Sequence, residues 1–428
     1  MFLTSAPRGT LDVLPKEVGW WHHIRAAAGR TCDQYGYEEI ITPIFEHTEL
    51  FVRTTGETSD IVTREMYTFE DRSERSLTLR PEGTPGAGRA YLEHKLFLEK
   101  SPTRLYYFGP MFRYERPQAG RQRQFNQFGV EVFGAESYLA DAEVIALGMD
   151  FLSTLGLQSL KVQINSIGCE ECRPRFRDEL VSYFQTRTQE LCEDCRRRLE
   201  RNPLRILDCK NERCSAIAEG APVTLDHLCP ACSAHFEAVG QMLRSQGIMF
   251  EINTSLVRGL DYYSRTVFEL IYGGLGSQNA VLAGGRYDGL IGSLGGDPTP
   301  AVGWAMGIER LVMTLEREGI KPPKNTVAKV YVIAAAGTAL KGFEVARQLR
   351  QNGLCVDMDL LSRGFKAQMK QAAKAGAAWA VFVGEDEIAT NRATVRDMVG
   401  GAQRQVEFDR IAEFIKSGGA GGSVENGR

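Results

Sequence analysis

The sequence predicts an α/β protein, with a large domain that contains antiparallel strands, a cysteine-rich insertion and a smaller C-terminal α/β unit. Two apolar, strand-like runs flank a polar turn between Leu105 and Gly134, a pattern typical of an antiparallel hairpin. Eight of the ten cysteines fall between Cys169 and Cys232, among short helical segments. From Val330 on, strand-like and helical segments alternate, which favours a small parallel or mixed sheet. A chain of 428 residues is long enough for two or three such domains.

The amino-acid composition limits the classes of protein to which this chain is expected to belong. The apolar fraction of 43% and the charged fraction of 25% are those of a soluble globular protein. The formal net charge of −3 does not indicate a nucleic-acid-binding protein, so any contact with RNA is expected from local basic patches. The N-terminal segment MFLTSAPRGT lacks a sustained apolar run after a basic head, so we expect no secretory signal. No apolar run is long enough to cross a bilayer, which makes the cytoplasm the expected location and excludes a membrane partner.

The N-terminal part alternates helices and strands. Residues 17–35 have the apolar spacing of a helix. The segment EEIITPIFE, residues 38–46, favours a strand that Pro43 breaks. LTLR, residues 77–80, favours a second strand, and the glycines and prolines after it predict a turn that leads into a helix.

The turn of the predicted hairpin is rich in arginine. Pro117 and Gly120 mark its loop. The arginines of the hairpin and its approach, opposed in the loop only by Glu115, are Arg104, Arg113, Arg116, Arg121 and Arg123. Guanidinium groups match phosphate oxygens bidentately, so the pattern favours a bound polyanion. The alternative is a solvated hairpin with ordinary surface charge.

The cysteines form four close pairs. They are Cys169 with Cys172, Cys192 with Cys195, Cys209 with Cys214, and Cys229 with Cys232. Cytosolic redox conditions argue against disulfides. Three pairs have the two-residue spacing that brings both thiolates onto one ion, and two pairs complete the tetrahedral four-sulfur shell that zinc prefers. We therefore expect structural Zn2+, and the alternative is a set of reduced, partly buried thiols.

Changes in amino-acid composition and in the pattern of helix-like and strand-like segments mark the predicted domain boundaries. Residues 166–246 are rich in cysteine, arginine and short helices, and strand-like segments of the earlier type resume at Met249, so this stretch is predicted to be an insertion. Pro322 and Pro323 mark a linker. The pattern that follows is strand, helix, strand, helix, strand. Residues 417–428 are predicted to be a disordered tail.

Two further segments place polar residues among apolar ones. In LVRGLDYYSRTVFEL, residues 256–270, charged and tyrosine side chains project from an apolar element, and such groups need partners or a ligand. A salt-bridged strand edge is the alternative. In AGGRYDGL, residues 283–290, the glycines predict a tight turn against which a flat substrate packs.

The segment AVGWAMGIERLVMTLE, residues 301–316, predicts a strand followed by a helix. Gly303, Ala305 and Gly307 form a small-residue floor, and Arg310 falls in the first turn of the helix. Such a floor with one arginine suits a planar base and its phosphate tail. The segment has neither the Walker spacing nor the dinucleotide-binding glycine pattern. A core helix with one arginine whose head group reaches solvent is the alternative.

Together these segments resemble the histidyl-tRNA synthetases, which are class II aminoacyl-tRNA synthetases. EEIITPIFE with Pro43 resembles the dimer motif of the class, FRYERPQAGRQRQFNQFGVEVFG its second motif, and GWAMGIERL its third. LVRGLDYYSRTVFE and AGGRYDGL resemble the two histidine-specific signatures. The resemblance implies an α+β catalytic domain, residues 1–165 and 247–320, with a mixed, mainly antiparallel sheet flanked by helices. It also implies a cysteine-rich helical insertion at 166–246 and a C-terminal α/β anticodon-binding domain at 328–416.

The resemblance further implies roles in binding ATP. Arg113 would bind the α-phosphate and Arg310 the γ-phosphate, while Phe125 would stack on adenine. Glu115 belongs to the same predicted site. Arg258 would lie against the α-phosphate, where attack by the histidine carboxylate builds negative charge. Mg2+ would accompany the pyrophosphate.

A second set of residues would bind L-histidine. Glu82, Thr84 and Gln127 would contact its ammonium group, and Glu131 and Tyr263 the two imidazole nitrogens, with Tyr262 in the same predicted site. Activation with ATP would give histidyl-adenylate, and the terminal adenosine of tRNA(His) would then take the histidyl group. No protein nucleophile is required, because positioning and charge neutralisation suffice.

Partners follow from the same resemblance. Arg116 and Gln118 in the hairpin loop would touch the acceptor end of the tRNA. Arg363, Lys366 and Lys370 are candidate phosphate contacts of the anticodon-binding domain, or else solvated helix charges. A homodimer is expected by analogy with the class. The rival predictions are a non-catalytic regulatory subunit of histidine biosynthesis and an RNA-binding module without turnover.

The resemblance does not supply the zinc, because many members of the family lack most of these cysteines. Which pairs share an ion stays open, and a single site is compatible with the spacing. We favour Cys192, Cys195, Cys209 and Cys214 as one site, because the loop between the two pairs has the length of a zinc ribbon.

Overall fold

The structure is a computed structural model that describes residues 4–56, 59, 61–118, 120–273, 280–322 and 329–419. The chain forms two compact units, residues 1–323 and 324–428. The linker prediction at Pro323 and the predicted tail from residue 420 on lie outside the described residues. Residues 417–419 form turns hydrogen-bonded to the last helix. Among the described helices, none is long and apolar enough to cross a membrane.

The first unit contains strands β1–β11 and helices α1–α10. The strands are β1 (Glu38–Glu39), β2 (Phe45–His47), β3 (Tyr67–Glu70), β4 (Ser76–Leu79), β5 (Thr103–Phe112), β6 (Gln124–Phe133), β7 (Leu160–Ser166), β8 (Phe250–Ile252), β9 (Ser264–Tyr272), β10 (Ala280–Arg286) and β11 (Ala301–Gly307). The helices are α1 (Val18–Tyr35), α2 (Thr48–Thr55), α3 (Thr84–Glu93), α4 (Tyr138–Thr154), α5 (Arg173–Gln185), α6 (Glu193–Arg201), α7 (Glu212–Ala218), α8 (Pro230–Ser245), α9 (Leu290–Ser293) and α10 (Ile308–Arg317).

A large mixed sheet organises this unit. Its strand order is β1-β5-β6-β11-β10-β9-β7-β8, and only the outer pairs β1/β5 and β7/β8 are parallel. The predicted mixed, mainly antiparallel sheet is therefore confirmed. A small antiparallel sheet, β2-β4-β3, lies in the same unit.

The arginine-rich hairpin supplies the second and third strands of the large sheet. β5 and β6 pair from Thr103 opposite Phe133 to Phe112 opposite Gln124. β6 then pairs with β11, which places Gln127 opposite Gly307. Residues 124–133 and 301–307, which are far apart in the sequence, thus lie on adjacent strands of the large sheet.

Helices cover the other face and form the main core. Apolar residues of α1, α4, α8 and α10 pack on β6, β9, β10 and β11. The Trp304 indole on β11 donates a 2.7 Å hydrogen bond to the Val144 carbonyl of α4. Below it, the fully buried Arg286 of β10 binds the Asp141 carboxylate of α4, which also contacts His235 of α8. These contacts join α4 to strands β10 and β11, and α8 to α4 through Asp141.

The glycine turn predicted at residues 283–290 is wrong for residues 283–286, and only Asp288 and Gly289 form a turn, just before α9. Ala283, Gly284 and Gly285 lie in strand β10, with Gly284 paired to Phe268 of β9 and Trp304 of β11. A Cβ on Gly284 would lie 2.3 Å from the Gly303 carbonyl oxygen. Glycine is required here because the strands approach closely and not because the chain turns.

Only the second half of the 256–270 segment is a strand. β9 begins at Ser264, and the polar residues before it, from Arg258 to Tyr263, lie in an irregular segment. The expectation that these polar groups project from an apolar element is therefore wrong for the stretch up to Tyr263. An irregular segment can point several polar side chains in one direction, which the alternation of a strand forbids.

The insertion leaves the sheet after β7 and returns at β8. Helices α5–α8 and short 3-10 turns form it, as the sequence predicts. Phe176 and Leu180 of α5 share a hydrophobic cluster with Tyr91 of α3, Leu105 of β5 and Phe133 of β6. The insertion therefore packs on the large sheet through its own apolar side chains.

The second unit is a small α/β domain. Its elements are β12 (Lys329–Ala334), α11 (Ala339–Gln351), β13 (Cys355–Met358), α12 (Phe365–Lys374), β14 (Trp379–Val383), α13 (Glu385–Thr390), β15 (Arg392–Asp397), β16 (Gln403–Glu407) and α14 (Ile411–Lys416). The strand order is β13-β12-β14-β15-β16, parallel among the first three and antiparallel beyond. The predicted alternation of strands and helices up to residue 384 is confirmed, and the hairpin β15–β16 extends it.

Candidate active site

A cleft of about 1060 Å³ opens on the free face of the large sheet. Strands β6, β9, β10 and β11, the start of α3, the hairpin loop and part of the insertion line it. The residues predicted for substrate binding that line it are Glu82, Thr84, Arg113, Glu115, Phe125, Gln127, Arg258, Tyr262, Tyr263 and Arg310. The fold thus gathers residues from four separate segments, 82–84, 113–127, 258–263 and 310, into one cavity.

Glu131 is not among the residues that line the cleft, and it lies directly behind the lining residues Thr84, Tyr287 and Gly303 as a deeply buried acidic group. It is 1% exposed, and its carboxylate accepts a 2.6 Å hydrogen bond from the Thr84 hydroxyl and another from the Tyr287 hydroxyl. Burial raises the pKa of Glu131 well above its usual value. Such a carboxyl ionises readily only beside a positive charge or several donors.

The floor beneath this group is made by glycine. A Cβ on Gly303 would lie 2.2 Å from the Val130 carbonyl oxygen, 2.4 Å from the Tyr287 hydroxyl and 2.5 Å from Glu131 Oε2. Any larger residue would displace the carboxyl or the tyrosine. Gly303, the first residue of the expected small-residue floor, therefore lies against the buried acid.

Glu82 lines the cleft itself. It is 4% exposed, Oε2 accepts a 3.2 Å hydrogen bond from the Tyr262 hydroxyl, and Oε1 has no hydrogen-bond partner among the described residues. Burial raises the pKa of Glu82 to about 7, although Arg113, the Tyr262 hydroxyl and Arg258 each oppose the rise. Gln127 lies close by and accepts a 3.2 Å hydrogen bond from the Gly83 amide. A buried acceptor without a donor is expected where a ligand supplies one.

Three tyrosines separate the two acids. The ring centroids of Tyr262 and Tyr263 are 4.7 Å apart, and Tyr287 lies 5.5 Å and 6.1 Å from them. Burial raises the pKa of Tyr263, so its hydroxyl keeps its proton at neutral pH. The tyrosine rings thus offer flat apolar surfaces, and the hydroxyl and carboxyl groups offer hydrogen-bonding points between them. This combination favours a small, flat, polar ligand.

Arginines surround the wider part of the cleft. The Arg258 guanidinium forms an ion pair with Glu269 and lies 5.6 Å from the Tyr263 ring. Arg113 donates to the Pro81 carbonyl over 2.8 Å and lies 5.5 Å above the Phe125 ring. The Nε atoms of Arg258 and Arg310 are buried without a hydrogen-bond partner in the described part of the chain. This charge and these free donors suit phosphate oxygens.

The two residues predicted to touch tRNA lie apart from this cavity. Arg116 and Gln118 are exposed on the hairpin loop and are absent from the lining of the cleft among the described residues. The Gln118 amide donates a 3.1 Å hydrogen bond to the Arg121 carbonyl, which tightens the loop. Their contact with an acceptor end stays a prediction.

Sequence reasoning missed several residues of the site. Tyr287 was within a motif already singled out, but only the glycines beside it were interpreted. Glu269 pairs with Arg258 across 11 positions, and the sequence gives no signal for that contact. Glu309 accepts 2.9–3.0 Å hydrogen bonds from Asn126 and so ties α10 to β6. The sequence signal available for this role of Glu309 was its position directly before the predicted Arg310.

The cysteines form two separate clusters. One contains Cys169, Cys172, Cys229 and Cys232, and the other contains Cys192, Cys195, Cys209 and Cys214. Within each cluster the four sulfur atoms all lie within 4.8 Å of one another. All ten cysteines are free thiols. The preferred grouping of Cys192, Cys195, Cys209 and Cys214 matches one cluster, and the remaining pairs form the other.

Comparisons with known proteins agree with the geometry. The family model of histidyl-tRNA synthetase matches residues 9–311, and that of the anticodon binding domain matches residues 329–418. The chain belongs to the histidyl-tRNA synthetase family. It is 51% identical over 416 residues to the histidine–tRNA ligase of Desulforamulus reducens, with 97% of this chain and 99% of the relative covered. It is 49% identical over 413 residues to the histidine–tRNA ligase of Halothermothrix orenii, with 96% and 99% covered.

A solved histidyl-tRNA synthetase supports the same assignment. The crystal structure of the apo enzyme from S. aureus superimposes with a TM-score of 0.82 at 37% identity and covers 97% of this chain and 100% of its own. In this histidyl-tRNA synthetase family member the signature residues lie around one cleft. That arrangement explains why the signatures occur together in the sequence, although they are separated by long stretches.

Proposed function

We propose that this chain is a histidine–tRNA ligase, which activates L-histidine with ATP and transfers it to the 3′ end of tRNA(His). The observation that carries the proposal is a pair of buried acidic groups, Glu82 in the lining of the cleft and Glu131 behind that lining, beside a region lined by Arg113, Arg258 and Arg310. A polar amino acid fits beside the two acids, and a triphosphate fits the arginines. The two binding regions adjoin, as the joining of two substrates requires.

Recognition of histidine rests on the buried polar groups. The α-ammonium group supplies the donor that Glu82 Oε1 lacks, with Thr84 and Gln127 beside it. The imidazole lies between Glu131 and Tyr263, which hydrogen-bond its two nitrogens. An amino acid without a matching donor and acceptor would leave these buried groups unpaired, which costs about 1–3 kcal/mol for each group.

Activation needs the arginines to hold ATP and to neutralise charge. Phe125 offers a face for adenine, Arg113 and Arg258 contact the α-phosphate, and Arg310 contacts the γ-phosphate. Attack by the histidine carboxylate on the α-phosphorus forms the acyl-phosphate bond and releases pyrophosphate. Mg2+, bound mainly through the phosphates with cleft carboxylates such as Glu115 and Glu269 among the oxygen ligands available, would neutralise charge on the leaving pyrophosphate. During the attack, Arg258 stabilises the charge that develops on the α-phosphate.

Transfer requires tRNA(His) at two places. Arg116 and Gln118 on the hairpin loop are the proposed contacts to the acceptor end. The second unit, which matches the anticodon binding domain, is the proposed reader of the anticodon. There Arg363 forms a 2.5 Å ion pair with Asp359, so Lys366 and Lys370 are the better candidates for phosphate contacts. Ligation of this kind serves protein synthesis, and we place the chain in the cytoplasm.

A homodimer would cover an exposed apolar surface around Pro43. Ile41 is 79% exposed, Ile44 is 45% exposed and Phe45 of β2 is 49% exposed, with Phe69 of β3 beside Phe45. Surface of this kind favours a protein partner. A second copy of the chain is the proposed occupant, and the mass of the particle in solution tests it.

The raised pKa of Glu82 predicts that histidine binds more weakly in acid. Because burial raises this pKa to about 7, the neutral carboxyl prevails below that pH and the carboxylate above it. An ammonium group needs the carboxylate, so the affinity for histidine falls as the pH is lowered through 7, approaching tenfold per unit. Calorimetric titration with histidine between neutral and mildly acidic pH measures it.

Glu82→Gln is the matched control for this pH dependence. The histidine imidazole titrates in the same range, and its contribution is present in both proteins. We expect the variant to bind weakly and to keep only the imidazole contribution. Identical pH profiles for the two proteins would contradict the role of Glu82.

Charging of tRNA tests the whole proposal. Incubation with ATP, Mg2+, radiolabelled histidine and a tRNA(His) transcript should give acid-precipitable histidyl-tRNA, whereas a tRNA with another acceptor stem and anticodon should not. Histidine binding without either activation or charging would favour the regulatory alternative. The full-length identity to histidine–tRNA ligases and the presence of Arg113, Arg258 and Arg310 favour the ligase.

A further inference from the structure

We propose that the insertion binds two structural Zn2+ ions with different tasks. The base site is formed by Cys169, Cys172, Cys229 and Cys232, and the outer site by Cys192, Cys195, Cys209 and Cys214. The base site fixes the root of the insertion against the histidine pocket. The outer site fixes a wall of the substrate cleft. The two tasks rest on the proposed function, whereas the number of ions does not.

The geometry of both clusters fits zinc. A tetrahedral shell with Zn–S bonds of about 2.3 Å places its sulfur atoms roughly 3.8 Å apart. Cys169 Sγ lies 3.7 Å from that of Cys172 and 3.9 Å from that of Cys229, and Cys192 Sγ lies 4.0 Å from that of Cys209. These separations are far too long for disulfides, whose S–S bonds measure about 2.0 Å.

Backbone amides support the same assignment. The Cys229 amide donates to Cys172 Sγ over 3.1 Å, and the Cys192 amide donates to Cys214 Sγ over 3.2 Å. Hydrogen bonds of this kind favour thiolates and orient them, as the donors around metal ligands do. One half of each cluster is buried and the other half is partly exposed, which leaves a route for the ion.

The base site joins two ends of the insertion to the sheet. It links the segment after β7 to the start of α8, residues that lie 60 positions apart. Gly168, at φ +69°, lets the chain turn beside Cys172, where a Cβ would lie 2.7 Å from the Cys172 Cβ. The Gly168 carbonyl accepts a 2.8 Å hydrogen bond from the Arg265 amide of β9. The root of the insertion is thus tied directly to the strand that follows the tyrosines.

A second connection leads from the base site to the histidine pocket. Arg173, next to Cys172, donates to the carbonyl oxygen of Tyr263. Tyr263 is the proposed partner of the imidazole. Movement of Cys172 and Arg173 would therefore shift the backbone that carries this tyrosine, so Arg173 is a positioning residue for the pocket.

The outer site lies at the cleft itself. Cys209 lines the cleft together with Asp208 and Lys210. The next turn begins α7, whose first amides donate to the Asn211 side chain, and Cys214 lies in that helix. Binding of one ion by Cys192, Cys195, Cys209 and Cys214 would fix this segment and the basic group of Lys210 beside the cleft. Asp208, Cys209 and Lys210 line the cleft but are not among the residues assigned to histidine or ATP, so the proposed task of this wall concerns the tRNA end.

Metal analysis of the purified full-length chain tests the number of ions. We expect two Zn2+ per chain, one in each of the variants Cys192→Ser/Cys195→Ser and Cys229→Ser/Cys232→Ser, and none when the four substitutions are combined. Cys355→Ser, at an exposed cysteine of the second unit, is the matched control and should keep both ions. Titration of the metal-free wild type with Co2+ should reach its thiolate-to-metal absorbance plateau at two equivalents.

Kinetics of the two double variants test the tasks. The base-site variant should raise the KM for histidine in ATP–pyrophosphate exchange by about tenfold or more, because the pocket wall is displaced. The outer-site variant should leave this exchange largely intact and slow the charging of tRNA. Single substitutions, Cys229→Ser and Cys192→Ser, replace any double variant that does not fold.

Contrary results are separable from failure of the ligase proposal. Fewer than two ions in the wild type, or loss of both ions from one double variant, would overturn the two separate sites whether or not histidine is activated. An unchanged KM for histidine in a base-site variant that has lost its ion would overturn the coupling to Tyr263. Impaired exchange in the outer-site variant would overturn the division of tasks.

Discussion

Arg258→Lys lowers the rate of histidine-dependent ATP–pyrophosphate exchange by about 10²–10³-fold at saturating substrates, the loss expected when one charge-stabilising donor is removed. Lysine keeps the charge but not the planar fork that contacts Glu269 and a phosphate at the same time. Arg258 is also fixed by Tyr263, whose ring lies 5.6 Å from the guanidinium. The shorter, mobile ammonium group cannot keep both positions. Steady-state exchange with varied histidine and ATP measures the effect.

The kinetic parameter that changes identifies the role of Arg258. A group that acts on the developing charge changes kcat, whereas a group that only binds substrate changes KM. Arg175→Lys is the matched control, because this arginine is 81% exposed on α5 of the insertion. A fall of less than about threefold in kcat for Arg258→Lys would be too small for transition-state stabilisation by a charged donor.

Glu131→Gln lowers kcat/KM for histidine by about 10–100-fold, which corresponds to loss of one hydrogen bond to a charged group. Burial raises the pKa of Glu131 and so disfavours its charged form, and an imidazole beside it supplies the partner that favours that form. An amide cannot take that charge. The substitution keeps the volume above Gly303, so the loss is one of chemistry and not of packing.

Selectivity should fall together with affinity. The wild-type pocket discriminates because Glu131, Tyr287 and Thr84 form one buried hydrogen-bond network. Replacement of the acceptor reduces the advantage of histidine over amino acids without an imidazole. Glu237→Gln, at an exposed glutamate of α8, is the matched control. A Glu131→Gln variant with wild-type affinity for histidine would remove Glu131 from the imidazole site.

Local sequence patterns predicted a large part of the fold. The hairpin around residues 105–134 was readable because strand alternation and a proline- and glycine-containing loop coincide there. The helix at Val18–Tyr35 was readable from its apolar spacing, and the second unit from its regular alternation of short strands and helices. Each of these signals depends on neighbours in sequence, and each of these elements formed as expected.

Features that depend on tertiary contacts were harder to predict. The glycines of β10 resembled a turn, because the sequence does not tell a turn from a close approach of strands. Cysteine spacing predicted pairs, but the fold alone joins the first pair to the last, across 60 positions. Tyr287 reaches Glu131 across 156 positions, and nothing near either residue indicates the contact.

The residues of the candidate site show the same difference between local sequence signals and tertiary contacts. Arg113, Arg258 and Arg310 were identified through motifs, and the sheet brings all three to one cleft. Their partners were not identified, since Glu269 reaches Arg258 only through the fold of an irregular segment onto β9. The charges of a site are therefore easier to predict than the groups that orient them.

The decisive measurement is amino-acid-dependent ATP–pyrophosphate exchange by the purified chain, without tRNA, against each of the standard amino acids. We expect exchange with histidine alone, because only the imidazole completes the buried network of Glu131 and Tyr263. Exchange with a different amino acid, or none from a folded protein that binds histidine and ATP, would contradict the proposal that this cleft forms histidyl-adenylate.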